Sequence, residues 1–208
     1  MQRNSNFRLL PLIISVIVVA LLIAAVVSIG RAIFSGGKSS TEDTAQVDEG
    51  REALLNTSGG HSVQMTVRGP IVANEDFQSY QVDVSNSERS ITSYLGYLES
   101  RSGGTSLSNN TPAYEQFVYA LDKANMMKGV EPDSNEADDL RGICASGYVY
   151  EYAVLSSGNV VKSLWTSTCS GSKGTLDASK EQLTKLFLDQ IPNSSDYIPF
   201  KQSNTYSL

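Results

Sequence analysis

One histidine and two cysteines are all that the 208-residue chain offers for imidazole or thiolate chemistry. A lone imidazole excludes a His-rich metal site and any mechanism that needs two histidines. Two cysteines exclude a disulfide-dense miniature scaffold. Positive charge is also scarce, with 16 Lys and Arg against 22 Asp and Glu for a formal charge of −6, which excludes a basic nucleic-acid binder. The length leaves room for one modest domain, not several.

Charge is missing altogether from Leu9 to Ile29, a 21-residue aliphatic run. As a helix at about 1.5 Å per residue it would span the hydrocarbon core of a bilayer, roughly 30 Å. A cleaved signal peptide has a shorter apolar region, about 7–15 residues, followed by a small-residue site. The best such triplet here, Ser28-Ile29-Gly30, sits at the far edge of the run before Arg31, so an uncleaved anchor over 9–30 is expected. No cysteine lies near the run, which excludes lipoprotein-type lipidation. Arg3, Arg8 and the α-amine outweigh Arg31 and Lys38, placing the N-tail 1–8 in the cytoplasm and the C-terminal domain outside it. Beyond Lys38 there are 12 basic and 22 acidic residues, a balance of −10 that repels anionic lipid and nucleic acid alike. Ala20, Ala24 and Ser28 recur every four residues and make a ridge of small side chains, a candidate homodimer contact in the membrane.

Residues 31–61 are small, polar and charged for most of their length and are expected to form a flexible tether. Glu49 to Leu55 has too few apolar residues to hold a helix independently. Residues 62–192 carry the signals of an α+β domain, followed by a C-terminal tail over 193–208. Val63, Met65 and Val67 alternate with polar residues in a first strand, and Tyr80, Val82 and Val84 in a second. Gly69-Pro70 bends the first strand. Ser85 to Glu88 is a turn, Arg89 to Leu98 reads as a third strand, and Ser100 to Asn110 as a loop. Thr111-Pro112 opens a helix with Phe117, Leu121 and Ala124 on its apolar face, ending near Lys128 with Gly129 as terminator. Ser179 and Gln182 have capping-box spacing for a second helix, buried through Leu183, Leu186, Phe187 and Ile191 and stopped by Pro192. The expected architecture is a small antiparallel sheet of about five strands packed by two helices.

The stretch CASGYVYEYAVLSSGNVVKSLWTSTC reads as a hairpin turning at Ser156–Asn159. Pairing Leu155 with Val160 sets Tyr150 against Trp165 and brings Cys144 and Cys169 to one face at the hairpin mouth. In an extracytoplasmic domain that pair reads as a disulfide, with a small bulge closing the register. The same register puts Tyr148, Tyr150, Tyr152 and Trp165 on one face, either a ligand platform for glycan or peptide or the surface that packs on the helices.

Candidate chemistry is sparse. Ser170-Gly171-Ser172-Lys173 has the spacing of lysine-assisted serine acyl enzymes, but its glycines point to a loop where that chemistry needs a helix. It is not a phosphate-binding P-loop. His61 lies in a Ser-Gly-Gly-His loop. The acidic run 131–139 has Asp133 and Asn135 at calcium-loop spacing but lacks the glycine and terminal glutamate of an EF-hand, and reads as a solvated loop. No catalytic residue, metal or cofactor is expected from these motifs.

The segments MTVRGPIVANE, SYQVDV, AYEQFVYALDKANMM, RGICASGYVYEY and LWTSTCSGS together resemble a group of uncharacterised, single-pass, small surface proteins of candidate-phylum bacteria with reduced genomes. The resemblance spans most of residues 62–192. It implies an anchored extracytoplasmic domain in a bacterial envelope and brings no known activity and no catalytic positions. The functional expectation is a non-catalytic binding module for an envelope or host-surface protein or glycan. The alternatives are an envelope-acting serine hydrolase or transferase using Ser170 with Lys173, or His61, and a pilin-like subunit. Against the last, no acidic residue precedes Glu42 and Ser5-Asn6 stands where a pilin leader ends in glycine.

Overall fold

Alternation puts Val63, Met65 and Val67 on the buried face of strand β1 (His61–Arg68), each with no exposed surface. The computed structural model describes residues 48–130 and 140–200. Five further strands follow among the described residues: β2 (Gln78–Ser85), β3 (Glu88–Leu95), β4 (Ser100–Ser108), β5 (Val149–Ser156) and β6 (Asn159–Ser167). They form one antiparallel sheet in the order β4-β3-β2-β1-β5-β6. Helices α1 (Glu49–Leu55), α2 (Thr111–Lys123) and α3 (Lys180–Leu188) supply the other half of the core. The class is α+β as expected, with six strands and three helices among the described residues.

The core is the odd-numbered face of β1 laid against the helix stripes. Val63 faces Val84 and Val154, Met65 faces Val82 and Tyr152, and Val67 faces Tyr80 and Tyr150. Tyr114, Phe117, Val118 and Leu121 of α2 cover this surface at helical spacing, and Leu183 and Phe187 of α3 complete it. Phe117 and Phe187 meet edge to face at 5.3 Å. Full burial of a side chain of this size contributes about 1.5–3 kcal/mol, so removal of any one of these helix residues should be felt by the whole domain.

Several boundaries differ from the sequence expectation. The folded unit includes Glu49–Leu55, inside the expected tether. Two leucines do not hold α1 alone, but Leu54 is 1% exposed within the shared core. Arg51 also grips Asp122 of α2 through two hydrogen bonds of 2.6 and 2.9 Å. Ser100 to Ser108 is strand rather than loop. Its Ser/Gly composition has little strand preference, but β3 offers a complete ladder, and tertiary pairing overrides propensity. The third strand ends at Leu95, because Gly96 turns the chain with φ 75°.

Asn110 caps α2, its side chain accepting from Ala113 N at 3.0 Å, so Thr111 is the first helical residue rather than the cap. The helix stops at Lys123, and Asn125, not the expected Gly129, takes the left-handed conformation (φ 61°). Gly129 instead bridges Leu176, where an added Cβ would lie 2.1 Å from the Thr175 carbonyl oxygen. Ser179 caps α3 as expected, accepting from Gln182 N. The tail beyond Pro192 also belongs to the domain as far as Phe200. The Ser93 hydroxyl donates to the Tyr197 carbonyl, and the Phe200 ring packs on Tyr80 and Tyr148 at 5.6 and 4.9 Å.

The apolar run with Ala20, Ala24 and Ser28, the acidic run 131–139 and residues 201–208 lie outside the described residues. No helix among the described residues is long and apolar enough to cross a membrane.

Candidate binding cleft

Where β1 ends, Gly69-Pro70 stops the ladder and the chain loops out to Phe77 before β2 begins. That loop, the β3–β4 turn and the segment 140–144 before β5 enclose a cleft of about 610 Å³. This volume lies within the range of small-molecule and side-chain pockets. Ile71, Phe77, Tyr97 and Ile143 give it apolar walls. Arg68 and Glu151 also line it, joined by a salt bridge of 2.7 Å. The two residues sit diagonally, since Arg68 faces Val149 and Thr66 faces Glu151. The other Glu151 oxygen accepts from the Ser163 hydroxyl at 2.9 Å. Arg68 and Glu151 are 34% and 25% exposed in their side chains, so the pair is fixed but reachable from solvent.

The walls are rigid for loops. The Phe77 and Tyr97 rings stack at 4.1 Å. The Tyr97 hydroxyl donates to the Val72 carbonyl at 2.8 Å and accepts from Val72 N at 3.2 Å, standing in for a strand partner. Gly96 N donates to the Phe77 carbonyl, and Tyr97 N to the Asn74 side chain. Across the cleft, Ile71 N donates to the Ala145 carbonyl at 2.9 Å. The far wall is held by the Cys144–Cys169 disulfide and by the Ser172 hydroxyl, which donates to the Ile143 carbonyl at 2.8 Å.

The disulfide expected from the sequence is present, with 5.5 Å between the Cα atoms. It is not a rung of the hairpin ladder. Cys144 lies in the turns before β5, and Cys169 lies two residues past β6. The bulge sits instead near the hairpin turn. Leu155 does pair with Val160, but Val154 then pairs with Lys162, leaving Val161 as the extra residue. Side chains alternate with period two, so that one residue reverses every face further along β6. Tyr150 consequently opposes Thr166, and Trp165 opposes Glu151 on the other side of the sheet.

Trp165 therefore leaves the face that the tyrosines share, and of the two readings of that face the structure shows packing. Tyr150 and Tyr152 are 5% and 0% exposed in the core, and Tyr148 packs on Phe200. Lys180 lies 4.9 Å over the Tyr150 ring. The Tyr152 hydroxyl sits 3.0 Å from the Thr184 hydroxyl, and burial drives its pKa far above the ordinary phenol value, so it stays neutral. Burial likewise pushes Tyr114 up to about 12. These tyrosines pack the core instead of presenting a surface.

The serine and histidine candidates are not brought together. His61 begins β1 and Arg68 ends it, seven steps or roughly 23 Å apart at strand rise. His61 pairs with Ser156 at the hairpin-turn end, while Ser170 follows β6 at the cleft end. Ser170 to Lys173 is a loop, tied by Thr166 and Ser167 hydroxyls to the Lys173 and Ser172 carbonyls. Near His61, Nδ1 lies 3.3 Å from the Ser58 hydroxyl, which donates to Asn56 at 2.6 Å in an exposed turn.

Sequence reasoning passed over the cleft residues. Arg68, Glu151 and Tyr97 were strand positions like any other, and only the apolar Ile71-Val72 pair directly after Gly-Pro marked an unusual loop. Compared with known proteins, the chain matches no family model, no curated protein and no solved structure.

Proposed function

We propose that this chain is a membrane-anchored extracytoplasmic protein that acts as a non-catalytic binding module, engaging an envelope or host-surface molecule through the cleft beside the disulfide. The observation that carries the reading is the cleft itself: apolar walls, an Arg68–Glu151 pair to orient a ligand, and loops pre-organised by the Tyr97–Val72 hydrogen bonds. The disulfide fits an oxidising compartment. The uncharged run 9–29, with its cytoplasm-favouring Arg3 and Arg8, fits a single-pass anchor in a bacterial envelope. The Ala20, Ala24 and Ser28 ridge would pair two anchors, and loss of crosslinked dimer in Ala24→Ile, with insertion unchanged, tests that part.

The site is tested by capture from envelope extracts with the full-length protein, comparing wild type with Ile71→Arg. Ile71 lines the cleft and is 48% exposed, so the substitution blocks the cleft without disturbing the core. Molecules held by wild type and lost by Ile71→Arg are expected. Identical capture by the two proteins would overturn the reading.

A further inference from the structure

We infer that the cleft and the loops beyond it form one docking surface for an extended peptide segment whose apolar side chains are flanked by lysine or arginine. The inference rests on the cleft being the binding site and adds the chemistry of its occupant. Among the described residues nine large apolar side chains are exposed, and five of them, Ile71, Val72, Leu95, Tyr97 and Leu98, belong to this one end of the sheet. Leu98 is 90% exposed at the turn between β3 and β4. Such a cluster on loops with their own hydrogen bonds is held in place without a partner, so it is a standing contact surface, continuous with the cleft through Ile71 and Tyr97.

Charge selects the occupant. Glu75, Asp76 and Glu99 lie exposed on the same two loops and make no ion pair among the described residues. The two loops themselves carry only these three carboxylates. The cations near them are Arg101, which donates to the Gly103 carbonyl, and Arg141 on the far wall of the cleft. Arg68 is already neutralised by Glu151, so the surface keeps a negative excess. The chain beyond Lys38 adds a background of −10. Anionic lipid is repelled by that field, whereas a cationic segment is attracted and steered. The cleft is concave and has room for one or two large side chains, which suits alternate side chains of an extended peptide better than a flat bilayer.

The test uses full-length protein in phosphatidylcholine nanodiscs and two fluorescent pentapeptides, Lys-Leu-Phe-Leu-Lys and Glu-Leu-Phe-Leu-Glu, acetylated and amidated, read by anisotropy. The lysine-flanked peptide should bind at least tenfold tighter than the glutamate-flanked one. Leu98→Ser, which changes only an exposed side chain, should weaken it at least tenfold, and Glu99→Lys should reduce the preference for lysine. Equal affinity for the two peptides, or full affinity in Leu98→Ser, would overturn the inference. In either case loss of envelope capture in Ile71→Arg would still uphold the cleft as a binding site, whereas unchanged capture would remove that reading as well. Binding to phosphatidylcholine vesicles that Leu98→Ser abolishes, with neither peptide bound, would make the surface a lipid contact and overturn the peptide.

Discussion

Arg68 reaches Glu151 across the diagonal of the β1–β5 ladder, 2.7 Å from nitrogen to oxygen, and the bulge at Val154/Leu155 brings Trp165 opposite the same glutamate. Three strands thus meet at one carboxylate. Glu151→Ala removes the partner of a half-buried guanidinium and a charge-assisted bond from Ser163, so a loss of about 1–2 kcal/mol in urea unfolding is expected. In a double-mutant cycle with Arg68→Met the two losses should not add. Additivity within a few tenths of a kcal/mol would mean that the pair is decorative.

The disulfide closes a sequence separation of 25 residues, worth about 3 kcal/mol in the chain-entropy account. Cys144→Ser with Cys169→Ser should lower stability by about that amount. It should also free the 140–147 wall more than the helices, as amide exchange would detect. In unreduced protein both thiols should resist alkylation, and quantitative labelling would refute the bond.

Much of this fold was written in local signals. The alternation of Val63, Met65 and Val67, the Ser157-Gly158 turn with both φ positive, and the Ser179 cap each follow from the residue's own chemistry. What escaped depends on distant partners. Strand β4 exists because β3 pairs with it, and α1 because the core receives Leu54. Of the four aromatics expected on one face, the three tyrosines keep it and pack the core. Only Trp165 is moved to the other face by one added residue, Val161, which no composition rule marks. The cleft was illegible for the same reason, since its walls come from three loops far apart in the chain.

Strand β4 can be tested at Gly104. Its φ is +135°, and an added Cβ would lie 2.3 Å from the Ile91 carbonyl oxygen. Gly104→Ala should cost more than about 1 kcal/mol and loosen the β3–β4 pairing. Gly171→Ala, with open space around it, should cost far less, and equal effects would argue against this register.

Acid should loosen α1. Partial burial pushes the Asp48 carboxyl up, but its bonds to Lys162 and to the Arg51 backbone outweigh that and hold its pKa below the ordinary 3.8. A carboxyl depressed in the folded state stabilises above its unfolded pKa and loses that contribution as pH falls through the folded value. Protection of α1 amides should therefore decline below about pH 4, and Asp48→Asn should flatten that decline. A pH-independent α1 would exclude Asp48 as its tie.

The most direct test of the binding reading compares the two ends of the sheet in living cells. A photo-reactive phenylalanine analogue is placed at Leu98, beside the cleft, or at Val160, exposed by 57% at the opposite hairpin. Crosslinking to a distinct partner from position 98, absent from position 160 and lost when Ile71→Arg is added, is the predicted result. Equal crosslinking from both ends, or a partner that Ile71→Arg leaves in place, would contradict it.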